Sequence, residues 1–188
     1  HSVRDFYNAY ELVRKSRIPV VNVDLIIGLP QETEQEIAYS LEQAVKLAPE
    51  NLTVHTLTLK RSAPLFQKQE QAVLTTQAAE KMVQRAAEMA AAIGLEPYYL
   101  YRQHYMLGHL ANIGYAKPGT ESIYNIQMME ERHPVIGVGP ASASKVPLPD
   151  GHHLHKLNMP KNVAGCGARL QELAERRRDL FNIEGTDL

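Results

Sequence analysis

Asn22-Val23-Asp24-Leu25-Ile26-Ile27-Gly28-Leu29-Pro30 is the stretch that decides the fold class. With Pro19-Val20-Val21 before it, the run is β-branched and almost wholly apolar. It reads as a strand buried on both faces, the habit of a parallel sheet. Gly28 and Pro30 stop it. Upstream, Ser2 and Asp5 form a capping box, and Phe6, Ala9, Tyr10 and Val13 recur at helical spacing up to about Ser16. Downstream, Thr33 and Glu36 form a second box, followed by Ile37, Leu41, Ala44, Val45 and Ala48, with Pro49 closing the helix. Leu52 to Leu59 is the next strand. Helix, strand, helix, strand with short links is the signature of parallel βα units, so the chain is α/β.

Ala79, Met82, Val83, Ala86, Ala90 and Ile93 predict a third helix, stopped by Gly94. Beyond Gly94 the pattern changes. Tyr98 to Tyr101 reads as a strand, Pro118-Gly119 as a turn and Ser122 to Met129 as a further strand or extended segment. Val135 to Ser144 is rich in small residues, His152 to Met159 suits a hairpin arm, and Leu170, Leu173, Ala174, Arg177 and Leu180 trace a last amphipathic helix. A boundary is expected near Ala63 to Gln71 or near Gly94, and residues 1–94 and 95–188 are taken as the two regions. Two βα units cannot close a barrel, and a two-stranded parallel sheet leaves apolar edges open. The other barrel half is therefore expected upstream of His1 or on a partner, in keeping with a chain that starts without a methionine.

Composition narrows the function. The 188 residues carry a net charge of −1, with 44% hydrophobic and 22% well-mixed charged residues. No basic excess points to nucleic acid, and Arg176-Arg177-Arg178 between Glu175 and Asp179 suits a solvated helix face. No apolar run is long enough for a membrane span. The single cysteine, Cys166, points to a reducing, cytoplasmic setting and reads as an incidental thiol between two glycines.

Asp24 is the most informative polar residue, a carboxylate in the middle of an apolar strand, four residues before Gly28. Burying it is costly unless it is paired. Two readings stand side by side: a ligand-binding acid near the strand's C-terminal end, or a structural acid bonded to a neighbour. Thr56 and Thr58 alternate onto one face of the next strand, as ligand contacts or as ordinary β-branched filling. Gly137-Val138-Gly139 lacks the spacing of a dinucleotide fingerprint and the lysine of a P-loop, but allows close backbone approach to a ligand. His152, His153 and His155 have no cysteine or carboxylate nearby to complete a metal set, and a solvated loop accounts for them. Tyr101-Arg102-Gln103 brings an aromatic, a fixed cation and an amide together after a strand. That suits an anionic substrate, or a surface ion pair.

Taken together, several of these segments resemble one family. Asn22 to Pro30, Asn51 to Leu57, Tyr98 to Gln103, Asn112 to Ala116, Ile123 to Ile126, Met129 to Glu131, Gly137 to Gly139 and Ser142 to Ser144 are similar to radical SAM proteins of the oxygen-independent coproporphyrinogen III oxidase group, in its coproporphyrinogen dehydrogenase-like branch. The resemblance implies the C-terminal part of a partial (β/α) barrel with an α+β region over its mouth. It implies an oxidoreductase that uses S-adenosylmethionine and a [4Fe–4S] cluster to turn a propionate of coproporphyrinogen III into a vinyl group. By position, Asp24 meets the ribose of S-adenosylmethionine, and Gly28, Thr58 and Ala143 are the other contacts implied for the same ligand. Tyr101, Arg102 and Gln103 fall where charge suits a porphyrinogen propionate. The family's C-x₃-C-x₂-C motif does not occur in this sequence. Three thiolates are needed for such a cluster, so the chain by itself is expected to be inactive. The competing expectations are a haem- or tetrapyrrole-binding delivery protein, for which His55, His104 and His109 are conceivable axial ligands, and a scaffold that completes a split barrel.

Overall fold

A computed structural model describes residues 2–58, 75–102, 110–151 and 153–182. The chain forms two compact units, His1–Ile123 and Tyr124–Leu188. The boundary expected at residues 94/95 therefore falls inside the first unit.

The first unit opens with α1 (Val3–Lys15), β1 (Asn22–Ile27), α2 (Glu34–Lys46) and β2 (Asn51–Thr56). Both capping boxes form as expected: Ser2 accepts from Asp5 N and Thr33 from Glu36 N, while each acid returns to its cap residue's amide. Next come α3 (Thr76–Ala92), with Thr75 at its N-cap and left-handed Gly94 just past its end, then β3 (Glu96–Tyr101) and β4 (Asn112–Ala116). The sheet order is β1-β2-β4-β3. β1 and β2 run parallel, as the βα pattern requires. β4 runs antiparallel to both β2 and β3, so the sheet is mixed.

Helices α2 and α3 cover one face of this sheet. Ile37, Leu41 and Ala44 from α2 and Met82, Ala86 and Ala90 from α3 pack on Val23, Ile27, Leu52, Val54 and Tyr115. Each fully buried Leu or Ile contributes about 1.5–3 kcal/mol, so this layer carries most of the unit's stability. The N-terminal ends of the strands are tied by Glu50. Its carboxylate takes Arg14 Nη1 at 2.7 Å and the Val21 amide at 3.0 Å, with Lys117 Nζ at 3.6 Å. Burial raises the Glu50 carboxyl, but the Arg14 guanidinium and the Val21 N–H outweigh it and hold the group below its usual range. Arg14 also donates to Tyr10 Oη and to the Ala48 carbonyl, which fixes α1 to the end of α2.

Two expectations change here, and one strand was not foreseen. β1 is not buried on both faces. Val23, Leu25 and Ile27 face the helices, whereas Asn22, Asp24 and Ile26 are exposed on the opposite face. The apolar Ile26 on that face masked the alternation. β2 ends at Thr56, short of the expected Leu59, which lies outside the described residues. The strand β4 carries no expectation at all, because Gly114 sits in its middle and glycine weakens a strand pattern.

The second unit contains most of α4 (Ile123–Glu130), then β5 (Ala143–Pro147), β6 (Leu154–Asn158), α5 (Val163–Ala168) and α6 (Leu170–Phe181). Ser122 to Met129 is thus a helix and not a strand. Its Ile-Tyr-Asn-Ile start favours strand by composition, and no residue of the helix is buried enough to print a helical period. β5 and β6 form the expected hairpin, with Val146 and Leu157 packed on Leu180 of the expected final helix. Gly137 N donates to the fully buried Ser144 hydroxyl, and Arg177 Nη2 donates to the Gly137 carbonyl. A Cβ at 137 would meet the backbone of Ala143, at 2.7 Å from its carbonyl carbon, so this close approach requires glycine.

Candidate functional site

The uncovered face of the first unit's sheet carries the polar residues. The register places Asp24 beside Thr53, Thr53 beside Gly114, and Gly114 beside Tyr99, a row that crosses all four strands. A Cβ on Gly114 would lie inside the Tyr99 ring, with Cζ at 2.8 Å, so the ring passes over the position where other residues carry a side chain. Beside it Thr53 is only 2% exposed, although it belongs to the uncovered face. The Thr53 hydroxyl donates to Asn22 Oδ1 at 3.1 Å, and Asn22 Nδ2 donates to Asp24 Oδ1 at 2.6 Å. The other Asp24 oxygen faces His55 Nε2 at 3.8 Å, an ion-pair distance too long for a hydrogen bond. The His55 imidazole is the main influence holding the Asp24 carboxyl below the usual carboxylate range. The Asn22 amide and Thr53 hydroxyl act the same way against partial burial.

Asp24 is not the buried carboxylate that its apolar neighbours imply: its side chain is 60% exposed. The physical reason is its place on the uncovered face. It is anchored through one oxygen and accessible through the other, so both readings of it, structural and ligand-facing, find a basis in the same group.

Asp24, Ile26, His55, Thr56, Leu57, Thr58 and Asn112 line a depression of about 410 Å³ at the C-terminal ends of β1 and β2. This is the end at which parallel-sheet proteins hold ligands. Asp24 and Thr58, expected to share one ligand, do share this depression. Asn112 Oδ1 accepts the Thr56 amide at 3.0 Å and extends the pairing of β2 past the last ladder bond. The Thr56 hydroxyl is buried and has no hydrogen-bond partner among the described residues.

Gly28 ends β1 with a left-handed backbone, φ +86°. Its amide and that of Leu29 both donate to Glu32 Oε2 at 3.0 Å. Burial pushes the Glu32 carboxyl up, although both amides oppose that. Glu32 was missed by reading the sequence; the acid four residues after a strand-ending glycine is the signal that could have found it. Tyr101 pairs with Asn112, a residue of the depression's wall, and Arg102 follows on the surface without an ion pair among the described residues. Gln103, His104 and His109 lie outside the described residues. Ala143 opens β5 in the second unit. His153 pairs with Asp150 in the hairpin turn, Nδ1 to Oδ2 at 2.7 Å, so a carboxylate does stand beside these histidines, but no cluster of three metal-ligating side chains forms among the described residues.

No family model matches the chain. Over 178 residues it is 38% identical to the oxygen-independent coproporphyrinogen-III oxidase-like protein HemZ of Bacillus subtilis, covering 94% of this chain and 36% of that protein. The chain is thus similar to one part of an oxygen-independent coproporphyrinogen-III oxidase-like protein. It is also 25% identical to the heme chaperone HemW of Escherichia coli, over 100% of this chain and 44% of that protein. Among solved structures, coproporphyrinogen III oxidase (HemN) from Escherichia coli, a radical SAM enzyme, matches with a TM-score of 0.63 at 15% identity, over 92% of this chain and 38% of that one. That likeness establishes the fold. The chain spans 36% and 44% of the two curated relatives, well under half of each. No helix among the described residues is long and apolar enough to cross a membrane.

Proposed function

We propose that this chain supplies the ribose-binding end of an S-adenosylmethionine site, and part of the substrate cover, to a radical SAM oxidase of coproporphyrinogen III. The observation that carries the reading is the shared depression. An accessible Asp24 oxygen and the Thr58 hydroxyl line one hollow at the strand ends, on a chain 38% identical to a coproporphyrinogen-III oxidase-like protein. A carboxylate held ionised accepts hydrogen bonds from both hydroxyls of a ribose, and such charge-assisted bonds are about twice as strong as neutral ones. The residues present fit the nucleoside end of the ligand. Bound, S-adenosylmethionine and a reduced cluster would supply one-electron hydrogen abstraction; Asp24 and Thr58 would orient the nucleoside, and Gly28 is assigned to the same ligand. Tyr101, Arg102 and Gln103 are assigned to a propionate of the substrate.

Cluster ligation needs thiolates beyond the one cysteine here, so catalysis is assigned to the longer parent protein in the cytoplasm and not to this chain alone. The other barrel half is its natural complement. Among the described residues no strand pairs with the outer edge of β1, and an apolar groove of about 330 Å³, lined by Phe6, Tyr7, Leu25, Tyr39 and Leu47, runs beside it. The test is turnover of coproporphyrinogen III by the full-length parent with reductant and S-adenosylmethionine. Loss of turnover in Asp24→Ala is expected, and full turnover by that variant refutes the assignment. The match to a heme chaperone over the whole chain favours a second reading, tetrapyrrole delivery without decarboxylation. Stoichiometric haem binding by a parent that fails to turn over coproporphyrinogen III would establish that one instead.

A further inference from the structure

The open face of the sheet holds more than a carboxylate. We propose that Asn22 and Thr53 are positioning residues for Asp24: a hydrogen-bond relay that starts at the Thr53 hydroxyl fixes one Asp24 oxygen and aims the other at the cis-diol of an adenosine-bearing ligand. This rests on the reading of Asp24 as the ribose contact and adds to it the residues that set its geometry.

The relay links three residues on two strands. Asn22 Nδ2 donates to Asp24 Oδ1 at 2.6 Å, and Asn22 Oδ1 accepts from the Thr53 hydroxyl at 3.1 Å. Thr53 itself is only 2% exposed, which shields this bond from competing water. Each amide and hydroxyl in the row is therefore committed, and an asparagine with both ends engaged cannot flip without breaking two bonds. Gly114, the register partner of Thr53 on β4, leaves room for the Tyr99 ring beside this row. A glycine in a central strand is costly for the strand, so its presence under an aromatic ring marks a geometry that the strand alone does not need. A solvent-exposed aspartate would otherwise sample its rotamers freely. With one oxygen pinned, the other keeps a constant direction, and pre-orientation of this kind lowers the cost of binding.

The reading and the inference are separated by equilibrium dialysis of the whole chain against adenosine and 2′-deoxyadenosine. A ribose contact by Asp24 makes the wild type prefer adenosine by about tenfold, the effect of one hydrogen bond to a charged group. In Thr53→Val and Asn22→Ala that preference falls to about twofold or less, while the affinity for 2′-deoxyadenosine is unchanged, and Thr53→Ser restores the preference. A purely structural role would weaken both nucleosides equally. If the wild type discriminates and both variants keep the full preference, the relay is refuted and the ribose reading stands. If the wild type shows no preference, the ribose reading fails and the relay's role with it. A ligand-free measurement tests the relay directly. Carbon-13 detection of the Asp24 carboxyl should show its titration midpoint moving up in Asn22→Ala, because a donor to the charged form is gone. An unmoved midpoint overturns the relay.

Discussion

Gly114→Ala should be far more harmful than a single methyl group suggests, and its harm should vanish when Tyr99 is removed. Gly114 lies in ordinary strand backbone between β2 and β3, so alanine is conformationally acceptable there. Where the backbone tolerates it, Gly→Ala stabilises by about 0.4–1 kcal/mol through the unfolded chain. Here the new Cβ would sit within the Tyr99 ring, with Cζ only 2.8 Å away. The ring must swing off the sheet and expose the Thr53 hydroxyl it helps to bury. Overpacking of this kind costs about 1–3 kcal/mol, or roughly 4–12 °C in melting temperature for a unit of this size. In the Tyr99→Ala background the obstruction is gone, and Gly114→Ala should become neutral or stabilising by about 0.4–1 kcal/mol. A double-mutant cycle by thermal and urea denaturation should therefore return a coupling of about 1.5–4 kcal/mol. Additive effects, or the same loss in both backgrounds, would refute the packing of Tyr99 over Gly114.

Other substitutions probe other parts of the account. Glu50→Gln should cost about 1–3 kcal/mol at neutral pH, because Arg14 and the Val21 amide lose a charged partner that is itself mostly buried. The Glu50 carboxyl is held below its ordinary value of 4.5 in the fold, so its contribution is full above that value and is lost as the pH falls through the folded-state value. The gap in melting temperature between wild type and Glu50→Gln should close in acid, as followed by circular dichroism across pH. Gly137→Ala should lower the stability of the second unit by about 1–3 kcal/mol, since its Cβ meets the Ala143 backbone, and amide exchange of β5 and β6 should report it while β1 and β2 stay protected.

Much of the fold is legible in the residues themselves, for local reasons. Ser2 with Asp5 and Thr33 with Glu36 satisfy helix-end amides within four residues, so α1 and α2 start where the sequence says they do. The parallel pairing of β1 with β2 follows from the helix between them. The uncovered face of β1 was hidden because Ile26 stands on it beside Asn22 and Asp24, and an apolar residue on each phase reads as burial on both. β4 was hidden because Gly114 interrupts its pattern, and α4 because Ile123, Tyr124 and Ile126 favour strands by type. The site divides along the same line. Asp24 and Thr58 stand out one strand at a time. The Asp24-Thr53-Gly114-Tyr99 row needs the register of four strands, and no single stretch contains it.

The central claim is that the hollow at the ends of β1 and β2 receives the nucleoside end of S-adenosylmethionine. Equilibrium dialysis of this chain with radiolabelled S-adenosylmethionine, beside Asp24→Asn, tests it most directly. The account predicts saturable binding by the wild type that weakens about tenfold or more in Asp24→Asn, with the melting curve unchanged. Binding that is equal in the two proteins, or absent from the wild type, would contradict it.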